Sequence, residues 1–93
     1  MEKIAPEIEH KEIDADGSLR AMITVMDETW CVAHIDAHPD PYGRPRWDVT
    51  SDTECSRSMY SLTYRCYGQA LADYYRRVAR FLDYRYPSFY SRG

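Results

Sequence analysis

Lysine, paired cysteines and long apolar runs are what this 93-residue chain has least of, and each shortage excludes something. No stretch approaches the ~18 consecutive apolar residues that cross a bilayer, so no membrane association is expected. The opening Met1-Glu-Lys-Ile-Ala-Pro-Glu7 is charged and lacks the apolar core of a signal peptide, which points to a cytoplasmic protein. The three cysteines, Cys31, Cys55 and Cys66, are odd in number and contain no CxxC spacing. That argues against a zinc ribbon or a disulfide framework and for reduced thiols packed as small hydrophobes. Glycine is scarce, at four residues, and no Gly-rich phosphate loop is present. GxSxG, HExxH and a Cys–His pair at a known family spacing are also missing, so the reading is of a non-enzyme that needs no cofactor. No repeat or low-complexity segment divides the chain, and a single domain over 1–93 is expected.

What is present is a globular composition, 44% apolar and 29% charged. A chain this short buries only roughly 60–65% of its unfolded surface, enough for one modest core. The net charge of −3 conceals an asymmetry: residues 1–54 balance to −8 and residues 55–93 to +5. Ten of the twelve cations are arginine and nine residues are tyrosine, types that dominate binding hot spots because they combine contact area with a polar handle.

Alternation predicts the sheet. Leu19, Ala21, Ile23 and Val25 share one strand face, and Asp16-Gly17 is a pair suited to a tight hairpin turn, which joins residues 7–15 to 18–26. A two-residue turn there sets His10 opposite Ile23, on the core side. After a turn at Asp27-Glu28, residues 29–37 read as a third strand. Cys31, Ala33, Ile35 and Ala37 form one face, with Trp30, Val32, His34 and Asp36 on the other. The proline-rich segment 38–45 reads as a loop, and 46–50 as a short fourth strand with Trp47 and Val49 inward. Segment 52–66 is ambiguous. Ser51 to Glu54 has capping-box spacing, whereas Tyr60, Leu62, Tyr64 and Cys66 alternate as in a strand; helix is the favoured reading. Residues 69–85 form a helix whose inward stripe is Leu71, Tyr74, Tyr75, Val78 and Leu82, ended by Tyr86-Pro87. In the tail, Phe89 and Tyr90 suggest packing rather than a free end. The expected fold is therefore α+β: an antiparallel meander of about four strands against a C-terminal helix, with a second helical segment at 52–66.

Chemistry concentrates at His34, Asp36, His38 and Asp40, which fall on every second residue. These are ligand types for zinc, manganese or iron, and residues two apart on a strand point the same way. Four of them span about 20 Å, however, too far to meet at one ion. Asp36-Ala-His38-Pro-Asp40 resembles the Asp-Ala-His-x-Asp metal signature of the arginase and agmatinase family, in which such residues help hold two manganese ions. The match covers five residues; the family's three-layer α/β domain is about three times as long, and its second motif, Asp-x-Asp on a later strand, has no counterpart after residue 40. The family's function is not carried over. The segment reads as a polar strand face running into a turn, with a metal site as an alternative.

The functional expectation is a small acidic binding or inhibitory protein that works by surface complementarity against a host or cognate protein complex. Small acidic proteins of phages and mobile elements that block nucleic-acid-binding complexes are the class analogy. Its contacts would be Glu7, Glu9, Glu12, Asp14, Asp27 and Glu28, anchored by Trp30 or Tyr42. A second reading makes it a nucleic-acid-binding or autoregulatory protein that uses Arg76, Arg77, Arg80 and Tyr84 on the outward face of the helix. A third makes it a homodimer subunit.

Overall fold

The computed structural model describes residues 6–53 and 60–86. Strands β1 (Glu7–Glu12), β2 (Leu19–Val25), β3 (Glu28–Pro39), β4 (Pro45–Ser51) and β5 (Leu62–Tyr64) precede one helix, α1 (Tyr67–Arg85). The five strands form a single antiparallel sheet in the order β1-β2-β3-β4-β5. Helix α1 packs on one face, so the α+β meander expected from alternation is what forms. No described helix is long and apolar enough to cross a membrane.

The inward residues are small or slender on the sheet (Ala21, Ile23, Ala33, Ile35, Val49) and bulky on the helix (Tyr74, Phe81), a pairing that suits close packing of two layers. Tyr74 is fully buried, and its hydroxyl lies 2.8 Å from His10 Nδ1 on β1, so the polar tip is satisfied inside the core boundary.

Turn chemistry sets the register. The first hairpin closes around four residues rather than two: Ile13 N–H donates to the Ser18 carbonyl, and the Asp14 carboxylate accepts from the Asp16 and Ser18 amides. His10 consequently pairs with Ala21, not Ile23. A slip of two leaves every side chain on its expected face, so His10 still points towards the helix. Gly17 has φ +100°, and a Cβ there would sit 2.7 Å from the Tyr67 ring. The second hairpin turns at Met26-Asp27, with Met26 held at φ 59°, where glycine is the usual occupant. In the proline-rich loop, Pro39 and Pro45 pair at the strand ends, and Asp40 organises residues 40–44 by accepting from the Tyr42 and Arg44 amides.

Three expectations are corrected. Residues 60–66 do not continue a helix: Leu62–Tyr64 is a fifth strand, paired with Trp47–Val49, and the Tyr/Thr alternation was the governing signal. Ser51 closes β4 instead of capping a helix, while Glu54, Cys55 and Met59, like Phe89 and Tyr90, lie outside the described residues. The helix is rotated from its hydropathy stripe, burying Ala70, Asp73, Tyr74, Arg77, Val78 and Phe81 and leaving Tyr75 half exposed. The cause is an internal ion pair: Arg77 donates to Asp73 at 3.2 Å, to Ser51 Oγ at 3.1 Å and to the Tyr60 carbonyl at 2.7 Å, and Tyr64 donates its hydroxyl to Asp73 at 2.9 Å.

Candidate functional site

The sheet face opposite α1 carries polar side chains, and a β-bulge organises their densest group. Ala21 pairs with Ala33, but Met22 pairs with Cys31, so Val32 is an extra residue in β3. Val32 and Ala33 are both buried. Side-chain alternation therefore changes phase: Trp30, Val32, Ala33 and Ile35 face the core, while Cys31 joins His34 and Asp36 outside. The face expected from strict alternation holds from Ala33 onward and is reversed at Trp30, Cys31 and Val32.

Asp52, the residue after β4, completes this group. Its amide donates to the Val32 carbonyl at 2.8 Å, clamping the end of β4 to the bulge, and Thr53 Oγ1 donates to the Cys31 carbonyl at 2.7 Å. One carboxylate oxygen, Asp52 Oδ2, lies 3.2 Å from Cys31 Sγ and 2.6 Å from His34 Nδ1. The other ring nitrogen, His34 Nε2, is 3.2 Å from Asp36 Oδ2. Burial, reinforced by Asp52, pushes the Cys31 thiol up to about 11, and Arg20 beside it only partly opposes that rise. Both imidazole nitrogens are engaged by carboxylates, so neither is placed to take the thiol proton. The arrangement does not suit a cysteine nucleophile.

The alternating run from His34 to Asp40 is dispersed among separate partners. His38 Nε2 lies 2.6 Å from Asp48 Oδ2, and the Arg46 guanidinium stands 3.0 Å from His38 Nδ1. Partial burial raises the Asp48 carboxyl, but hydrogen bonds from Thr63 and His38 outweigh it and leave the group below its ordinary range. Asp40 is nearly buried, caps its own loop and accepts from Arg65 at 2.7 Å. The four residues do not converge on one point, as their span along the strand implies.

The carboxylates expected to meet a partner are also divided. Glu7 and Glu9 lie exposed on edge strand β1, and Asp27 and Glu28 lie at the turn near the Glu7 end of the sheet; Glu12 and Asp14 are at the opposite end. Trp30 packs against the core, whereas Tyr42 is 83% exposed with Arg44 near its ring. On the helix, Arg76 and Tyr84 are exposed and Arg80 half-buried, but Arg77 is 2% exposed and belongs to the interior. Cys31 and Asp52 are the site residues that sequence reasoning missed. The only trace in the sequence is the Cys-x-x-His spacing of Cys31 and His34, which regular alternation assigns to opposite faces, and nothing local marks Asp52.

Comparison adds no relative. No protein-family model matches the chain, and no curated protein or solved structure is similar to it.

Proposed function

We propose that this is a small binding protein that docks its β1 edge and the neighbouring β2–β3 turn against a cationic surface of another protein. The observation that carries this reading is the distribution of unanswered charge. Among the described residues, Glu7, Glu9, Asp27 and Glu28 are in no ion pair. Arg46 is engaged with Asp48, Arg65 with Asp40, and Arg76 and Arg77 with Asp73, which leaves Lys11, Arg20, Arg44, Arg80 and Arg85 against eight described carboxylates that are in no ion pair. Unpaired carboxylates along one end of the sheet steer a basic partner and bias its orientation. An inhibitor that covers a basic nucleic-acid-binding surface in the cytoplasm, as small acidic phage and mobile-element proteins do, has this requirement.

The helix supports the competing nucleic-acid reading less well. Its central arginine is spent on folding, and Arg76 leans on Asp73 at 3.7 Å. The test is a tagged capture from a lysate of the organism that carries the chain, with and without nuclease, comparing the native sequence with Glu7→Lys/Glu9→Lys/Asp27→Lys. A stoichiometric basic partner that survives nuclease and is lost with the triple reversal supports the proposal. Retention by the triple variant refutes the acidic surface, and signal lost with nuclease moves the function to the helix.

A further inference from the structure

We propose that Cys31, His34 and Asp52 form a binding site for one zinc ion, with Asp36 orienting His34. The ligand atoms of the three side chains lie within 4.8 Å of one another. Donors around tetrahedral zinc stand about 3.3–3.6 Å apart, given bonds of about 2.0–2.3 Å to nitrogen, oxygen and sulfur. Cys31 Sγ to Asp52 Oδ2 is already 3.2 Å, and the 2.6 Å contact from His34 Nδ1 to the same oxygen opens to that spacing by small side-chain rotations. The backbone under all three ligands is fixed by the bulge, by Asp52 N–H to the Val32 carbonyl and by Thr53 to the Cys31 carbonyl.

The protonation pattern matches an ion's place. Two donors, the thiol and Nδ1–H, converge on a single carboxylate oxygen, so two protons occupy the position a dication would take. When zinc binds, the thiol proton and the proton on Nδ1 both leave that position, and the neutral imidazole carries its single proton on Nε2. Asp36 is already 3.2 Å from Nε2, ready to accept that hydrogen bond. A carboxylate behind a ligating histidine is the usual means of holding the ring and its tautomer. Thiolate, neutral imidazole and carboxylate together neutralise Zn²⁺, and a donor set of one sulfur, one nitrogen and one oxygen excludes magnesium and calcium, which take oxygen ligands. Arg20, which pairs across the sheet with His34, is the cation that faces the thiol; its exposed side chain is free to swing away as the ion enters. Three protein ligands leave one position for water.

The experiment titrates the reduced full-length chain with Zn²⁺ against a chromophoric chelator, and with Co²⁺ followed by absorption. One equivalent of each metal is expected, with a thiolate-to-cobalt charge-transfer band in the near ultraviolet. Cys31→Ser abolishes that band, and His34→Gln and Asp52→Ala each weaken zinc at least about tenfold, whereas Cys55→Ser/Cys66→Ser retains both band and affinity. Asp36→Asn weakens zinc about 10- to 100-fold while keeping the cobalt band, as expected of a positioning residue. Metal-free melting curves for each variant separate loss of ligand from loss of fold. A cobalt complex without the thiolate band, a band that survives Cys31→Ser, or no stoichiometric binding at micromolar metal overturns the proposal.

Discussion

Replacing Arg77 with methionine removes a charge that the fold requires. The guanidinium is almost wholly buried and supplies hydrogen bonds to Asp73, Ser51 and the Tyr60 carbonyl. Arg77→Met preserves much of the volume but leaves the Asp73 carboxylate, itself 3% exposed, with only the Tyr64 hydroxyl and a 3.7 Å approach from Arg76. Stranding one member of a buried pair costs about 3–5 kcal/mol, because the survivor stays desolvated without its counter-charge. A 93-residue domain has a total stability of about 5–14 kcal/mol, so about a fifth or more of it is lost. Asp73→Leu alone has the same sign. The pair Asp73→Leu/Arg77→Met removes both desolvation penalties and returns to within about 1–2 kcal/mol of the native chain, a coupling of at least about 2 kcal/mol. Equilibrium urea unfolding followed by far-ultraviolet circular dichroism measures all four corners of the cycle. If Arg77→Met loses less than about 1 kcal/mol, or if the double variant loses the sum of the singles, the internal ion pair does not hold the helix as described.

Other perturbations address separate parts of the molecule. Gly17→Ala combines a forbidding φ with a Cβ 2.7 Å from Tyr67, and thermal unfolding should register a loss of about 1–3 kcal/mol. Met26→Gly relieves a left-handed methionine that is 72% exposed, and should raise stability by up to about 1 kcal/mol in the same assay. Burial lowers the folded pKa of His10 below the ordinary histidine value of 6.5, so the unfolded chain binds the proton more readily. Stability from this group is fully present above pH 6.5 and is lost as the pH falls through the lowered folded value; His10→Gln flattens that part of a stability–pH curve. With its thiol raised to about 11, Cys31 should label far more slowly than exposed Cys66 with a maleimide at pH 8, and Asp52→Asn should accelerate it, as mass spectrometry of the labelled peptides will show.

The parts of the fold that obey a single periodicity were legible. The Leu19–Val25 face, the positive φ at Gly17 and the presence of a helix over 69–85, though not the face it buries, follow from local rules. What escaped depends on long-range partners. Asp73 and Arg77 look like an exposed i,i+4 pair until Ser51, Tyr60 and Tyr64 arrive from other segments to satisfy them in the interior. His34 and Asp36 fall on the polar face under simple alternation, but the same alternation puts their neighbour Cys31 in the core, because a one-residue bulge leaves no mark in an apolar run such as Cys31-Val-Ala33. Asp52 read as part of a capping box, and only the pairing of β3 with β4 brings it beside the bulge.

That bulge also determines where the protein tolerates a change of length. Elsewhere in β3, inserting or deleting one residue inverts every side chain on one flank, exchanging core for solvent. At Val32 the inversion is already built in, so a chain lacking that residue would alternate regularly, with Trp30 still inward and Cys31 and His34 still outward. The loss would be one buried valine and the carbonyl that receives the Asp52 amide. A one-residue change of length at this position therefore keeps both faces of the sheet.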